Sequence, residues 1–230
     1  MPQATTTTAR NAQGGVLISF EGLDGVGKTT QIALLEQALR QAGREVLRLR
    51  EPGATRLGEA VRSILLDKAD LEISPMAEML LFEAARAQLV EEVVRPALER
   101  GCVVVCDRFY DSTLAYQGFG RGLGREAVAQ ANALACGQVR PDRTILLDMD
   151  EAQAHERACA QGADRMEREA AEFHARVKQG FLWAAGAEPG RVRRVDASGT
   201  PLEVWARIRA ELLDLVDLPE TPSQAPGAER

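Results

Sequence analysis

VLISFEGLDGVGKTT, residues 16–30, is the stretch on which the fold turns. Val16 to Phe20 is a short apolar run, the pattern of a strand buried on both faces. Directly after it, Gly22-Leu23-Asp24-Gly25-Val26-Gly27-Lys28-Thr29 satisfies G-x-x-x-x-G-K-[ST] in full. Such glycines let backbone N–H groups curl around phosphate oxygens, and a helix starting near Lys28 would aim its positive end at them. Ile32, Leu35 and Leu39 then recur at helical spacing, and Gly43 can stop that helix in a left-handed cap. Strand, glycine loop and amphipathic helix in that order are the context the motif needs. Lys28 is expected to neutralise the β- and γ-phosphates of a bound nucleotide, and the Thr29 hydroxyl to ligate Mg²⁺.

Outward from this unit, strand-like and helix-like segments alternate. Val46 to Arg50 alternates as a second strand. Ser74-Pro75 predicts a helix start, with Ser as N-cap and Pro at the first helical position. Met79, Phe82, Arg86, Leu89 and Val93 keep to one stripe until Pro96, which is expected to break or kink the helix. Cys102 to Cys106 reads as a third strand, Thr144 to Asp148 as a fourth, and Val192 to Val195 as a candidate fifth. Thr200-Pro201-Leu202-Glu203 is a capping box opening the last helix. This alternation implies a parallel sheet covered on both faces, with ligands at the carboxyl ends of its strands. A chain of 230 residues suits one α/β domain with a small lid, taken here as residues 15–217. Residues 1–14 and 218–230 are polar or proline-rich, so both tails are predicted to be disordered.

The formal net charge is −6, so no overall basic field would gather nucleic acid, and an anionic substrate must be met by local cations. No apolar run is long enough to predict a membrane span, and MPQATTTTARNAQGG has no apolar core to act as a secretory signal. Cys102, Cys106, Cys136 and Cys159 contain no C-x-x-C pair. They are expected to be structural thiols, and a cytoplasmic location follows. His155 and His174 stand near no motif and are expected to serve packing or the surface.

The loop alone does not separate a kinase from a switch or motor. A GTPase would carry Asn-Lys-x-Asp, and no such string occurs among the only lysines, Lys28, Lys68 and Lys178. The third strand runs instead into Asp107-Arg108-Phe109-Tyr110. Asp107 stands where a second Mg²⁺-organising carboxylate is expected, and Arg108 could clamp a phosphate with two N–H donors. A local ion pair is the competing reading of those two residues. Arg50, ending the second strand, offers another cation at the same edge. Phe82 and Arg86 are i and i+4 on one helix, so a ring and a guanidinium share a face and could stack on a base and donate to its edge. Phe82 by itself would more often be a core residue, as phenylalanine usually is.

Together these segments resemble the bacterial thymidylate kinase family from about Val16 to Val216. The matching stretches are FEGLDGVGKTT, LREPGATRLGEAVRSILL, LLFEAARAQ, DRFYDSTLAYQG, RPDRTILLD and DRME. REPG, DRF…AYQG and DRME in that order are more specific than the phosphate loop. The resemblance implies the P-loop nucleoside monophosphate kinase fold: a five-stranded parallel sheet flanked by helices, with a small lid and usually a homodimer. It implies transfer of a phosphoryl group from Mg-ATP to dTMP. Asp24 then matches the acid that accepts from the deoxyribose 3′-hydroxyl, Phe82 the ring stacking on thymine, and Arg86 the arginine reading the base edge. Arg50 and Arg108 match phosphate-holding arginines, Tyr116 a ring near C2′ that disfavours ribose, and Gln117 a neighbour of the base pocket.

Residues 151–168 correspond to the lid over ATP, with Arg157, Asp164, Arg165 and Glu167. Gly25 stands where eukaryotic-type members carry an arginine, so the transition-state cation is expected from the lid, with Arg157 favoured and Arg165 nearer the adenine side. Cys159 and Gln161 stand where arginines would be expected, and Ala54 replaces a glycine of REPGG. Other readings are a kinase for dUMP, CMP or a nucleoside, and a nucleotide-dependent switch without a small-molecule acceptor.

Overall fold

The computed structural model describes residues 14–66, 71–150, 153–154 and 169–222. Five strands form one sheet: β1 (Val16–Glu21), β2 (Val46–Arg50), β3 (Val103–Asp107), β4 (Arg143–Asp148) and β5 (Val192–Asp196). Their order is β2-β3-β1-β4-β5 and every pairing is parallel. The fifth strand, a candidate from the sequence, is therefore real. The chain leaves β1 for the β2 edge, returns to β3, then crosses to β4 on the other side of β1. A ligand crevice in such a sheet opens where the strand order reverses, beside the carboxyl end of β1.

Residues alternate along β1 and β3 between two cores. Ile18, Phe20, Val103 and Val105 face a layer containing Ile32, Leu35 and Leu39 of α1 (Lys28–Gln41) and Trp205 and Ile208 of α8 (Pro201–Ala210). Leu17, Val104 and Cys106 face the other way, onto Leu89, Val94 and Phe109. Helix α1 ends as its glycine predicts. Gly43 takes φ 73°, its N–H donates to Arg40 O, and the Arg44 N–H reaches back to Leu39 O. Cys102, Cys106 and Cys136 are buried and free, as structural thiols should be, while Cys159 lies outside the described residues. His174 is half-buried edge-on against Phe173, a packing role, and His155 lies outside the described residues.

Helix α2 (Arg56–Leu66) precedes α3 (Pro75–Leu89), which starts at the predicted Ser74 cap. Pro96 does not end the helical path. A π turn over Val90–Val94 widens it, and α4 (Arg95–Glu99) continues through Pro96, so the proline is absorbed where the backbone ladder is already interrupted. After β3 come α5 (Tyr110–Thr113), a second π turn (Leu114–Gly120) and α6 (Arg125–Cys136); α7 (Ala171–Ala187) precedes β5.

Residues 218–220, at the start of the expected C-terminal tail, are held by the fold. Leu218 is buried, the Trp205 indole N–H donates to Glu220 O at 3.1 Å, and the Arg209 guanidinium donates to the carbonyls of Leu218 and Pro219. Two polar side chains on α8 satisfy the segment that composition alone left without partners. Among the described residues no helix is long and apolar enough to cross a membrane.

The α8 capping box forms in full: Thr200 Oγ1 accepts from the Glu203 N–H at 3.4 Å and Glu203 Oε2 accepts from the Thr200 N–H at 2.7 Å. Thr200→Ala is expected to lower the unfolding free energy by about 1 kcal/mol, the usual worth of such a cap. Urea denaturation of the two proteins checks this.

Candidate active site

The Gly-rich loop hangs from β1 and is shaped by three positive φ angles, at Gly22, Gly25 and Gly27. At Gly22 a Cβ would lie 2.4 Å from Leu147 O, so only glycine fits against β4. Gly27 caps α1 with no side-chain bond, leaving the first-turn N–H groups of that helix to an outside acceptor. Lys28 is buried beneath the loop, its Nζ donating to Gly22 O at 3.1 Å and Leu23 O at 2.9 Å, with Asp24 Oδ1 at 3.6 Å. Burial, and then the neighbouring Arg108 charge, lower its pKa from the ordinary lysine value.

Asp24 and Arg108 meet across the ends of β1 and β3. Arg108 Nη2 donates to Asp24 Oδ1 at 2.5 Å, and Nη1 donates to Gly22 O and Ser112 Oγ. The Tyr116 hydroxyl reaches Asp24 Oδ2 at 3.4 Å, and the Arg108 guanidinium lies 5.2 Å from the Tyr116 ring centre. Burial alone would raise the Asp24 carboxyl, but the charges of Arg108 and Lys28 outweigh it and hold the group well below the ordinary range. Tyr116 is itself a core ring, packed on Phe173 and Phe181.

Asp107 is half-buried at the end of β3, in register with Phe20 of β1 and Arg50 of β2. Thr29 is exposed in the first turn of α1. No group of three His, Cys, Asp or Glu among the described residues could hold a metal alone. A hydroxyl and a carboxylate nevertheless suit Mg²⁺, a hard ion that takes one or two protein oxygens and completes its shell with phosphate and water. Arg50 is exposed and pairs with Glu59 at 3.2 Å.

The α3 pair behaves unequally. Phe82 is half-buried beside the small cluster of Val61, Leu65 and Ala85, while Arg86 is buried. Arg86 Nε donates to Glu51 Oε2 at 2.8 Å, and Nη1 to Glu83 Oε1 at 2.7 Å and Asn132 Oδ1 at 3.0 Å. Arg86 thereby ties α3 to the segment after β2. Gln117 is buried too, its Nε2 donating to Glu78 Oε1 at 2.9 Å. Gly22, Leu23 and Val26 line a small pocket together with Leu146 and Leu147 of β4. Arg157, Asp164, Arg165 and Glu167 of the expected lid lie outside the described residues.

The sequence reading missed the acids behind these cations. Glu21 accepts from the Phe109 N–H at 2.7 Å and the Ser112 hydroxyl at 2.6 Å. Burial first, and the nearby Asp111 carboxylate second, push it up to about 8. Glu51 is pushed up to about 7 by burial, and its Oε1 has no hydrogen-bond partner. A charged residue closing an otherwise apolar strand was the available signal for Glu21. For Glu83 it was the i, i+3 spacing to Arg86.

The family model described as thymidylate kinase matches residues 20–208. A thymidylate kinase of Desulforudis audaxviator is 51% identical over 205 residues, covering 87% of this chain and 93% of the relative. One of Deinococcus radiodurans is 50% identical over 199 residues, covering 84% and 96%. The crystal structure of thymidylate kinase from Ehrlichia chaffeensis superposes with a TM-score of 0.72 at 33% identity, covering 86% of this chain and 99% of that one.

Glu21 and Glu51 give the stability a pH dependence with a definite sign. From about pH 4.5 to 8 the folded protein keeps protons that the unfolded chain has released, so their contribution is complete below that window. It is lost as pH rises through about 7 for Glu51 and about 8 for Glu21. Thermal unfolding followed by circular dichroism should give a higher midpoint at pH 5.5 than at pH 8.5. Glu21→Gln should flatten the difference; an unchanged slope would show that this carboxyl does not control it.

Proposed function

The chain belongs to the thymidylate kinase family, and we propose that it phosphorylates dTMP to dTDP with Mg-ATP as donor. The observation that carries this reading is the tie between Asp24 and Arg108, which joins a phosphate loop to an acceptor-side arginine across neighbouring strand ends. A nucleotide switch with no small-molecule acceptor has no use for it.

The reaction is an in-line displacement. An oxygen of the dTMP 5′-phosphate forms a bond to the γ-phosphorus as the bond to the β,γ-bridging oxygen breaks. The acceptor is already ionised at neutral pH, so no general base is needed and positioning and charge carry the rate. The backbone of Gly22 to Gly27 and Lys28 hold the donor phosphates. Arg50 and Arg108 hold the acceptor phosphate, and Asp24 accepts from the 3′-hydroxyl. Phe82 stacks on thymine, Arg86 donates to its edge, Tyr116 crowds C2′ against ribose, and Gln117 lies beside the base. Thr29 and Asp107 are the protein oxygens for Mg²⁺, which when bound neutralises the phosphate chain. Arg157 serves the transition state and Arg165 the adenine side.

We extend the proposal to a cytoplasmic homodimer. Three buried free thiols suit a reducing compartment. Ile64, Leu80 and Leu134 are exposed apolar residues on α2, α3 and α6, helices that pack side by side and so present a surface suited to a second copy.

An ADP-release assay against dTMP, dUMP, dGMP, CMP and UMP tests the function, with dTMP expected to be preferred and Lys28→Ala expected to abolish turnover without unfolding. Phe82→Ala is expected to raise KM for dTMP far more than for ATP, since base–aromatic stacking contributes about 1–3 kcal/mol. Equal losses for both substrates would assign Phe82 to packing alone.

A further inference from the structure

A glutamine amide is ambiguous by nature: one end donates and the other accepts, and the side chain can present either. Gln117 has lost that freedom. Its Nε2 lies 2.9 Å from Glu78 Oε1, on a carboxylate that is wholly buried. Arg121 grips both oxygens of the same carboxylate, Nε to Oε1 at 3.0 Å and Nη2 to Oε2 at 3.1 Å. Both oxygens of Glu78 accept from the Arg121 guanidinium and Oε1 accepts from Gln117 as well, so the amide turns its NH₂ toward Glu78 and its carbonyl oxygen away. Gln117 Oε1 accepts no hydrogen bond among the described residues.

Glu78, Phe82 and Arg86 are i, i+4 and i+8 on α3, so they form one stripe along that helix. Gln117 is tied to its first member, the half-buried ring is in the middle, and a guanidinium, which only donates, is at the far end. A base lying on Phe82 therefore meets an acceptor toward Gln117 and donors toward Arg86.

We propose that Glu78 is a positioning residue for base specificity: by fixing the Gln117 carboxamide it makes the pocket read a pyrimidine imide. Thymine and uracil offer N3–H to an acceptor and a 4-carbonyl to a donor. Cytosine offers an unprotonated N3 and a 4-amino group, so both contacts are reversed. Leaving buried polar groups unmatched is the strongest form of rejection an enzyme pocket has. The inference rests on the dTMP kinase reading, and adds to it the residue that decides which way the amide faces.

The test is Glu78→Gln, which can offer Gln117 either a donor or an acceptor and so frees both orientations. KM for dTMP should rise about tenfold, the worth of one neutral hydrogen bond. The preference for dTMP over dCMP should fall by a similar factor, with kcat for dTMP nearly unchanged. N3-methyl-dTMP, which lacks the N3–H, should be discriminated against by the parent and much less by the variant. Parallel falls in kcat and thermal midpoint with the dTMP:dCMP ratio intact would overturn the proposal and leave Glu78 a packing residue. Should Glu78→Gln fail to fold, Gln117→Leu keeps the Glu78–Arg121 clamp, and full retention of the ratio in that protein would equally overturn it. A parent enzyme that does not turn over dTMP would mark the failure of the kinase reading itself, and this inference would fall with it.

Discussion

In Arg108 the backbone takes φ 69°, a conformation in which an L side chain crowds its own carbonyl and which costs about 1–2 kcal/mol. The surrounding bonds hold it there. Its own N–H donates to Phe20 O at 3.0 Å, and the next N–H, of Phe109, is taken by the buried Glu21 carboxyl. The turn swings the guanidinium back over the phosphate loop, where it meets Gly22 O and Asp24. The register pairing of Phe20 with Asp107 brings the two segments close enough for this. Loop, acid and arginine are consequently one object, set by the sheet.

The same device recurs around the site. Arg86 is fixed by Glu51 and Glu83, Arg121 by Glu78 and Glu169, and Arg191 by Asp111 and Glu188. In a chain with a net charge of −6, these arginines stand in planes already oriented by carboxylates. The arrangement carries a risk. Taking one partner from a buried pair leaves an uncompensated charge, so these acids are as demanding of their identity as the cations they hold.

Much of this frame was legible in the chain. The glycine loop, the Ser74 and Thr200 caps and the Gly43 stop are local, since each depends on residues within one turn of itself, and each stands where the residues predict. The position of Arg86 one turn beyond Phe82 on α3 was legible, but its confinement by Glu51 and Asn132 was not, because those partners lie 35 and 46 residues away. Glu21 closes an apolar strand and its role depends on a turn 88 residues later. Pro96 marks an irregularity in the helical path, but its form was not legible: a π turn over Val90–Val94 precedes it and a short helix carries on through it. Leu218 to Glu220 read as the start of a polar tail because their carbonyl partners, the Arg209 guanidinium and the Trp205 indole, stand on α8 and not within the segment.

An open sheet has two unpaired edges, and here they belong to β2 and β5. Both strands put arginine outward, Arg48 and Arg50 on β2 and Arg194 on β5, between the apolar residues that face the core. Charged side chains on an edge strand disfavour the addition of another chain as a sixth strand, even where each is paired with an acid, as Arg50 is with Glu59 and Arg194 with Asp148. The arginine that ends β2 beside the crevice therefore also protects the colloidal stability of the protein.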